Sequence, residues 1–389
     1  MSISKKNFDF SKYGLANFQK KIGVNFLRYV FSAINKDNST EERFFIELEF
    51  LNPHIKPNEV VLGFEPRVNV SSGDLQSALL GNISQSDFKG EDIETPSYGV
   101  IRFGCLSGNH SVLCHYFPCN QAKISTKPTK IEIENTVFSD KSISGEISLS
   151  ESEVAKHPEL FSNSGKASWN LTYEIDASSI KGYNKKNEKW LPLGIVSSFY
   201  GLIKFNDVEY AVLPQKSKGY IERFYLKDLP STWFHLSSCD FVSLISGKKL
   251  HNFGFSVQGI FNNKLSVICN LGDDSFAFSA NKSDRKYTVV CDCSQTPENE
   301  SEKETMLHWS ISLSSNDLIL DIDIFSNLKD LSNRSLELSE GNRALLNLVQ
   351  SGYGTGEFKL YKKVKKSIEQ IEYAKIESAF CEFGKREIQ

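Results

Sequence analysis

Between Lys218 and Val242 the chain gathers Tyr220, Glu222, Arg223, Tyr225, Trp233 and His235, a denser mix of acid, base and aromatic side chains than any other stretch holds. Alternation along an extended chain puts Tyr220, Glu222 and Phe224 on one face and Arg223 and Tyr225 on the other. In the next run Trp233, His235, Ser237 and Cys239 share a face. The segment Leu226-Lys227-Asp228-Leu229-Pro230 between them has turn composition, so the stretch reads as a hairpin. A glutamate walled by aromatics has its charged form penalised and becomes a proton donor, and an imidazole beside it is a natural partner. Glu222 and His235 are therefore the catalytic candidates, and Tyr220, Arg223, Tyr225 and Trp233 the candidates for touching a bound molecule. The competing reading makes Glu222 and Arg223 members of a structural ion-pair network between two halves of the chain.

Other chemistries find less support. Cys105, Cys114, Cys119, His110 and His115 cluster in sequence, and Cys291-Asp292-Cys293 follows later. No Cys-x-x-Cys knuckle occurs, and Cys114 and His115 alternate in direction, so no metal site is expected. Gly352-Tyr353-Gly354-Thr355-Gly356 lacks the Gly-Lys-Ser/Thr ending of a phosphate loop and is better read as a bulge at a strand start. There is no Gly-x-Ser-x-Gly elbow for an acyl-transfer serine. No cofactor is implied.

The elements that must carry the hairpin are strands. The run Arg43 to Phe50 alternates, with Phe44, Ile46, Leu48 and Phe50 on one face and Glu47 and Glu49 on the other, toward water. Leu202 to Phe205 and Val208 to Val212 flank Asn206-Asp207, a two-residue hairpin turn. Further short alternating runs recur to the C-terminus, with Phe unusually common at 28 residues. Short helices are expected over 151–161 and 336–349. This pattern predicts an all-β sandwich or barrel protein. Its 389 residues exceed one ordinary core, so two domains are expected. A net charge of −3, from 45 basic and 48 acidic residues, gives no argument for binding nucleic acid. No run approaches the length of a membrane span, and no signal-like segment opens the chain. The expectation is a cytoplasmic protein with reduced thiols, its Asn-Leu-Thr at 170–172 a chance sequon.

Tyr220, Glu222, Arg223, Leu229-Pro230 and Trp233 resemble the signature of the tocopherol cyclase-like family. Asn52-Pro53 after an early strand, and Tyr353-Gly354 with Gly356-Glu357-Phe358-Lys359-Leu360, are similar to its first and last conserved pieces. Where the family has Asn-Trp-Gly this chain has Phe224-Tyr225-Leu226. The resemblance implies two lipocalin-like antiparallel β-barrel or sandwich domains, placed here at 1–215 and 216–389, related in fold to carotenoid hydratases. It implies a hydrophobic, isoprenoid- or lipid-like ligand in an aromatic-lined cavity. One alternative it implies is a lyase or isomerase in which Glu222 protonates a prenyl double bond, with His235 or Tyr225 as partner. Another alternative is an interaction protein whose cavity is filled by Phe side chains.

Overall fold

The structure, a computed structural model, describes residues 22–53, 60–61, 69–70, 97–106, 110–156, 158, 161, 163–177, 182, 186–260, 264–272, 277–281, 286–296, 305–339, 345–365 and 367–386. The expectations for residues 1–20, for most of 64–96 and for a turn at Asn262-Asn263 fall outside these residues.

Strands occupy 74% of the described residues and helix 4%, so the protein is essentially all-β, with a closed barrel and a half-barrel sheet. In order the strands are β1 (Val24–Asn35), β2 (Glu41–Leu51), β3 (Val60–Val61), β4 (Asn69–Val70), β5 (Tyr98–Cys105) and β6 (Val112–Phe117). Four short strands follow: β7 (Lys123–Thr126), β8 (Thr129–Ile133), β9 (Thr136–Ser139) and β10 (Ser142–Leu149). After helix α1 (Glu151–Lys156) come β11 (Gly165–Ala177), β12 (Glu188–Phe205), β13 (Val208–Val212) and β14 (Lys218–Leu226). The remainder is β15 (Thr232–Ser243), β16 (Phe253–Ile260), β17 (Lys264–Leu271), β18 (Ala277–Asn281), β19 (Tyr287–Gln295) and β20 (Met306–Ser315). Last come β21 (Leu318–Asn327), β22 (Ser332–Glu337), β23 (Leu345–Val364) and β24 (Ser367–Arg386).

The first sheet has 12 strands in the order β6-β5-β2-β1-β13-β12-β11-β10-β9-β8-β7, with β14 pairing both β1 and β12. The second has 10, in the order β18-β17-β16-β15-β24-β23-β21-β20-β19, with β22 on β23. All pairings among the described residues are antiparallel. The first sheet turns one face onto an aromatic core that includes Phe31, Phe44, Phe103, Trp169 and Phe199. The second encloses a separate core around Phe241, Phe255, Phe358 and Trp309. Their remaining faces meet, since Leu336, Leu346, Leu348 and Phe380 of the second sheet pack within the first sheet's cluster.

Several local expectations correspond to what forms. Asn206 and Asp207 take positive φ of 46° and 69° between Phe205 and Val208, as a type I′ turn requires. The register slips twice between Ser351 and Gly356, where bulges let β23 change its pairing with β24, although in the middle of β23 rather than at a strand start. Helix α1 starts on a capping box, the Ser150 amide donating to Glu153 Oε2 at 2.7 Å and the Glu153 amide to Ser150 Oγ at 3.2 Å. Among the described residues, α-helix forms over Glu151–Lys156.

The expectation of a helix over 336–349 is corrected. This span supplies the end of β22 and the start of β23, because Leu346 and Leu348 alternate with the exposed Asn347 onto the seam between the sheets. Sheet pairing overrides helix propensity there. The 218–242 hairpin is corrected too. Its strands, β14 and β15, do not pair with each other: β14 joins the first sheet and β15 the second. They face each other across the seam. Among the described residues no helix is long and apolar enough to cross a membrane.

Candidate functional site

The seam carries two polar rows, one from each sheet. Across the first sheet, Glu222 on β14 stands opposite Arg28 on β1, Arg28 opposite Glu47 on β2, and Glu47 opposite Arg102 on β5. Directly opposed residues share a face, so acid and base alternate along four neighbouring strands. Across the second sheet the row runs Ser266, Gln258, His235, Glu382, Gln350 and Ser332.

The rows interlock. Arg28 donates through Nε to Glu47 at 3.0 Å and through Nη1 to Glu382 at 2.8 Å, and lies 3.3 Å from Glu222 Oε1. Arg334, from β22, reaches back to Glu47 at 3.0 Å and to Glu382 at 2.9 Å. Arg102 holds Glu47 at 2.8 Å and Glu49 at 2.5 Å. Glu47 and Glu49 thus do not point to water; they are buried and take part in the network. The seam offers these carboxylates guanidinium donors, without which burial would be prohibitive.

Burial alone would push Glu47 and Glu382 upward. The arginines outweigh it: Arg334, Arg28 and Arg102 hold Glu47 well below the usual carboxylate range, and Arg28 with Arg334 lowers Glu382. Arg28 is buried among three carboxylates, which raise its pKa despite the loss of water.

Glu222, fully buried, accepts at Oε2 from Trp190 Nε1 at 2.8 Å and from the Tyr220 hydroxyl at 3.0 Å. With Arg28 beside Oε1, its surroundings present the donors an ionised carboxylate accepts. Tyr220 itself receives a bond from Ser256 at 2.8 Å. Burial first, and then the Glu222 carboxylate, push its phenol well above the ordinary value. His235 Nδ1 lies 3.9 Å from Glu222 Oε2, and its Nε2 is 3.3 Å from Ser237 Oγ. Desolvation lowers the His235 pKa below 6.5, so the ring is neutral at neutral pH. Trp233 donates to Glu382 at 3.3 Å and packs edge-on against Phe224 at 4.8 Å.

Four of the six candidate residues therefore converge: Tyr220, Glu222, Trp233 and His235. Arg223 and Tyr225 do not. They lie on the opposite face of β14, where burial alone brings Arg223 down to about 10 and the Tyr225 hydroxyl donates to the Ile22 carbonyl at 3.1 Å. Sequence reasoning missed Arg28, Arg102, Arg334 and Glu382. For Arg28, Arg102 and Glu382 the signal was a lone charge inside a bulky apolar run, as with Arg28 between Leu27 and Tyr29, whereas Arg334, in Ser332-Asn333-Arg334-Ser335, carried none.

A recess of about 580 Å³, lined from both sheets, lies where β2, β5, β12 and β13 end and Tyr353 of β23 approaches. Phe205, Val208 and Tyr210 form its apolar side, and Glu42 and Cys105 its polar side. Glu42 Oε2 accepts from the Tyr210 hydroxyl at 3.2 Å and from Cys105 Sγ at 3.6 Å, and Oε1 from Asn35 Nδ2 at 3.5 Å. None of the six candidate residues lines it. Glu42 is on β2 and Tyr210 on β13, so only the fold brings them together.

No protein-family description matches the chain, and no characterised protein matches it in sequence. Among solved structures it is similar to a Nitrosomonas europaea protein provisionally labelled AttH, at 9% identity and TM-score 0.48 over 98% of each chain. It is also similar to kievitone hydratase from Nectria haematococca, at 11% identity and TM-score 0.39, over 96% of this chain and 92% of that one.

Proposed function

We propose that the protein binds a small, largely hydrophobic molecule, and that the binding site is the recess beside Phe205, Val208 and Tyr210. The observation that carries this reading is the recess itself. Its volume of about 580 Å³ is in the range of small-molecule sites, and Phe205, Val208, Tyr210 and Tyr353 give it an apolar side that faces Thr40, Glu41, Glu42, Cys105, Ser111 and Asn206. The apolar part of such a molecule, an isoprenoid or other lipid-like fragment, would lie against Phe205, Val208 and Tyr210. The seam then serves as the clasp between two β domains rather than as the pocket.

The test is titration with Nile red, a neutral hydrophobic dye, against wild type and Val208→Trp, which fills the recess. Saturable binding to wild type, weakened at least tenfold in the variant at unchanged thermal midpoint, is the expected result. Equal binding by both proteins would overturn the reading.

A second reading keeps Glu222 as a general acid with His235 as its partner. It is favoured by one observation: Glu222 and His235 are both fully buried and face each other, with His235 Nδ1 3.9 Å from Glu222 Oε2. The acid would add its proton to a prenyl double bond, and a hydroxyl of the same molecule would close the ring and return a proton. Conversion of a prenylated phenol that proceeds equally in wild type and Glu222→Gln would sink this reading.

A further inference from the structure

We infer that the molecule held in the recess carries a positive charge, an organic amine or related cation, and that Glu42 is its counter-ion. This rests on the binding reading above and adds the ligand's chemical class.

The lining is charge-asymmetric. Thr40, Glu41, Glu42, Cys105, Ser111, Asn206 and the apolar residues contribute two carboxylates and no lysine, arginine or histidine. Of the two, Glu41 is exposed and paired with Arg43 at 3.3 Å. Glu42 is half-buried and, among the described residues, contacts only neutral donors, the Tyr210, Cys105 and Asn35 side chains. The Tyr210 hydroxyl at 3.2 Å is long beside the 2.5–2.7 Å or so of a charge-assisted O–H···O⁻ bond, the Asn35 amide at 3.5 Å is at the edge of hydrogen-bond reach, and the Cys105 thiol is a weak donor.

Nearby cations are committed elsewhere. Lys36 pairs with Glu209 at 2.9 Å, Lys204 lies 3.7 Å from Asp207, and Arg43 also reaches Asp240 at 3.5 Å. A half-buried carboxylate given only weak neutral donors leaves room for a stronger partner, and a cation is the group that pairs with it best. Phe205, Tyr210 and Tyr353 line the same space, and aromatic walls favour cations over neutral isosteres. The Tyr210 phenol, raised first by burial and then by Glu42, stays protonated and keeps its donor on the carboxylate rather than adding a second negative charge.

The experiment uses the full chain and three matched probes: 2-naphthylmethylamine, 2-naphthylmethanol and 2-naphthoate. Wild type is expected to bind the amine roughly tenfold more tightly than the alcohol, the combined effect of a half-exposed ion pair and a cation–π contact, and the carboxylate most weakly. The amine preference should shrink with added salt. The near-isosteric Glu42→Gln should bring amine and alcohol to parity while leaving alcohol binding in place. Val208→Trp should weaken all three probes.

If amine and alcohol bind equally, and both are lost in Val208→Trp, the recess reading survives and the cation assignment falls. An amine preference that persists in Glu42→Gln also overturns the assignment. Binding of every probe that ignores Val208→Trp overturns the recess and the inference together.

Discussion

Arg28 is the single cation shared by Glu47, Glu222 and Glu382, all of them buried. Replacing it leaves three carboxylates short of a partner in a dry seam. Removing one member of a buried charged set typically costs about 3–5 kcal/mol, and Arg28→Met is expected to fall in or above that range, measured by urea unfolding. His235 gives a distinct pH signature. Its native pKa is lowered, so the unfolded chain takes up a proton more readily than the native one. Its contribution is therefore fully present above the ordinary value of 6.5 and is lost as pH falls from there toward the lower native value. Glu47 and Glu382 act in the same direction at lower pH. Their stabilisation is present above the ordinary 4.5 and is lost as pH drops toward their depressed native values. Urea midpoints should accordingly fall in two stages on acidification, and His235→Gln should flatten the upper stage alone. An upper stage unchanged in that variant would show that another group titrates there.

Strand pairing makes its own demands. At Gly356 a Cβ would stand 1.8 Å from the Asp323 carbonyl oxygen, so β21 and β23 pair this closely only because no side chain intervenes. Gly247 is different: its φ of +68° favours glycine, yet a methyl added there would meet nothing within 4 Å. Gly356→Ala is expected to cost about 3 kcal/mol or more by forcing the strands apart, and Gly247→Ala only about 1 kcal/mol from backbone strain. Thermal unfolding of both variants checks the order. At this scale the sequence is informative where the signal is local. The Asn206-Asp207 turn, the Gly352–Gly356 bulges and the Ser150–Glu153 cap each depend on a few adjacent residues. Partner choice is not local. Nothing in Lys227 to Ser231 distinguishes a turn that closes a hairpin from a connector that carries the chain from one sheet to the other. Period-2 alternation placed Glu47 and Glu49 correctly on the face opposite Phe44 and Ile46. It could not tell that this face meets a second sheet rather than water. The recess was illegible for the same reason, since Glu42, Cys105, Tyr210 and Tyr353 come from four distant strands.

The two sheets keep separate cores on their far sides but share hydrophobic packing and charged contacts along the seam. The halves should therefore lend each other stability. Near-ultraviolet and far-ultraviolet signals are expected to report one coincident urea transition. A chain ending at residue 230 would expose Arg28, Glu47 and Phe26 without Glu382, Arg334 and Phe380 to meet them. It should unfold at lower urea than the intact protein, or fail to fold cooperatively. Two separate transitions in the intact protein would contradict this.

The alternation of Glu222, Arg28, Glu47 and Arg102 across four strands has one more consequence, for folding fidelity. A slip of one residue in any of these strands exchanges its two faces. A slipped β1 would drive Arg28 among the phenylalanines of the first core and turn Leu27 and Tyr29 toward carboxylates. The row thus works as a proofreading device: mis-paired intermediates carry a stranded guanidinium and dissolve, and only the aligned sheet offers the second one a surface to dock on.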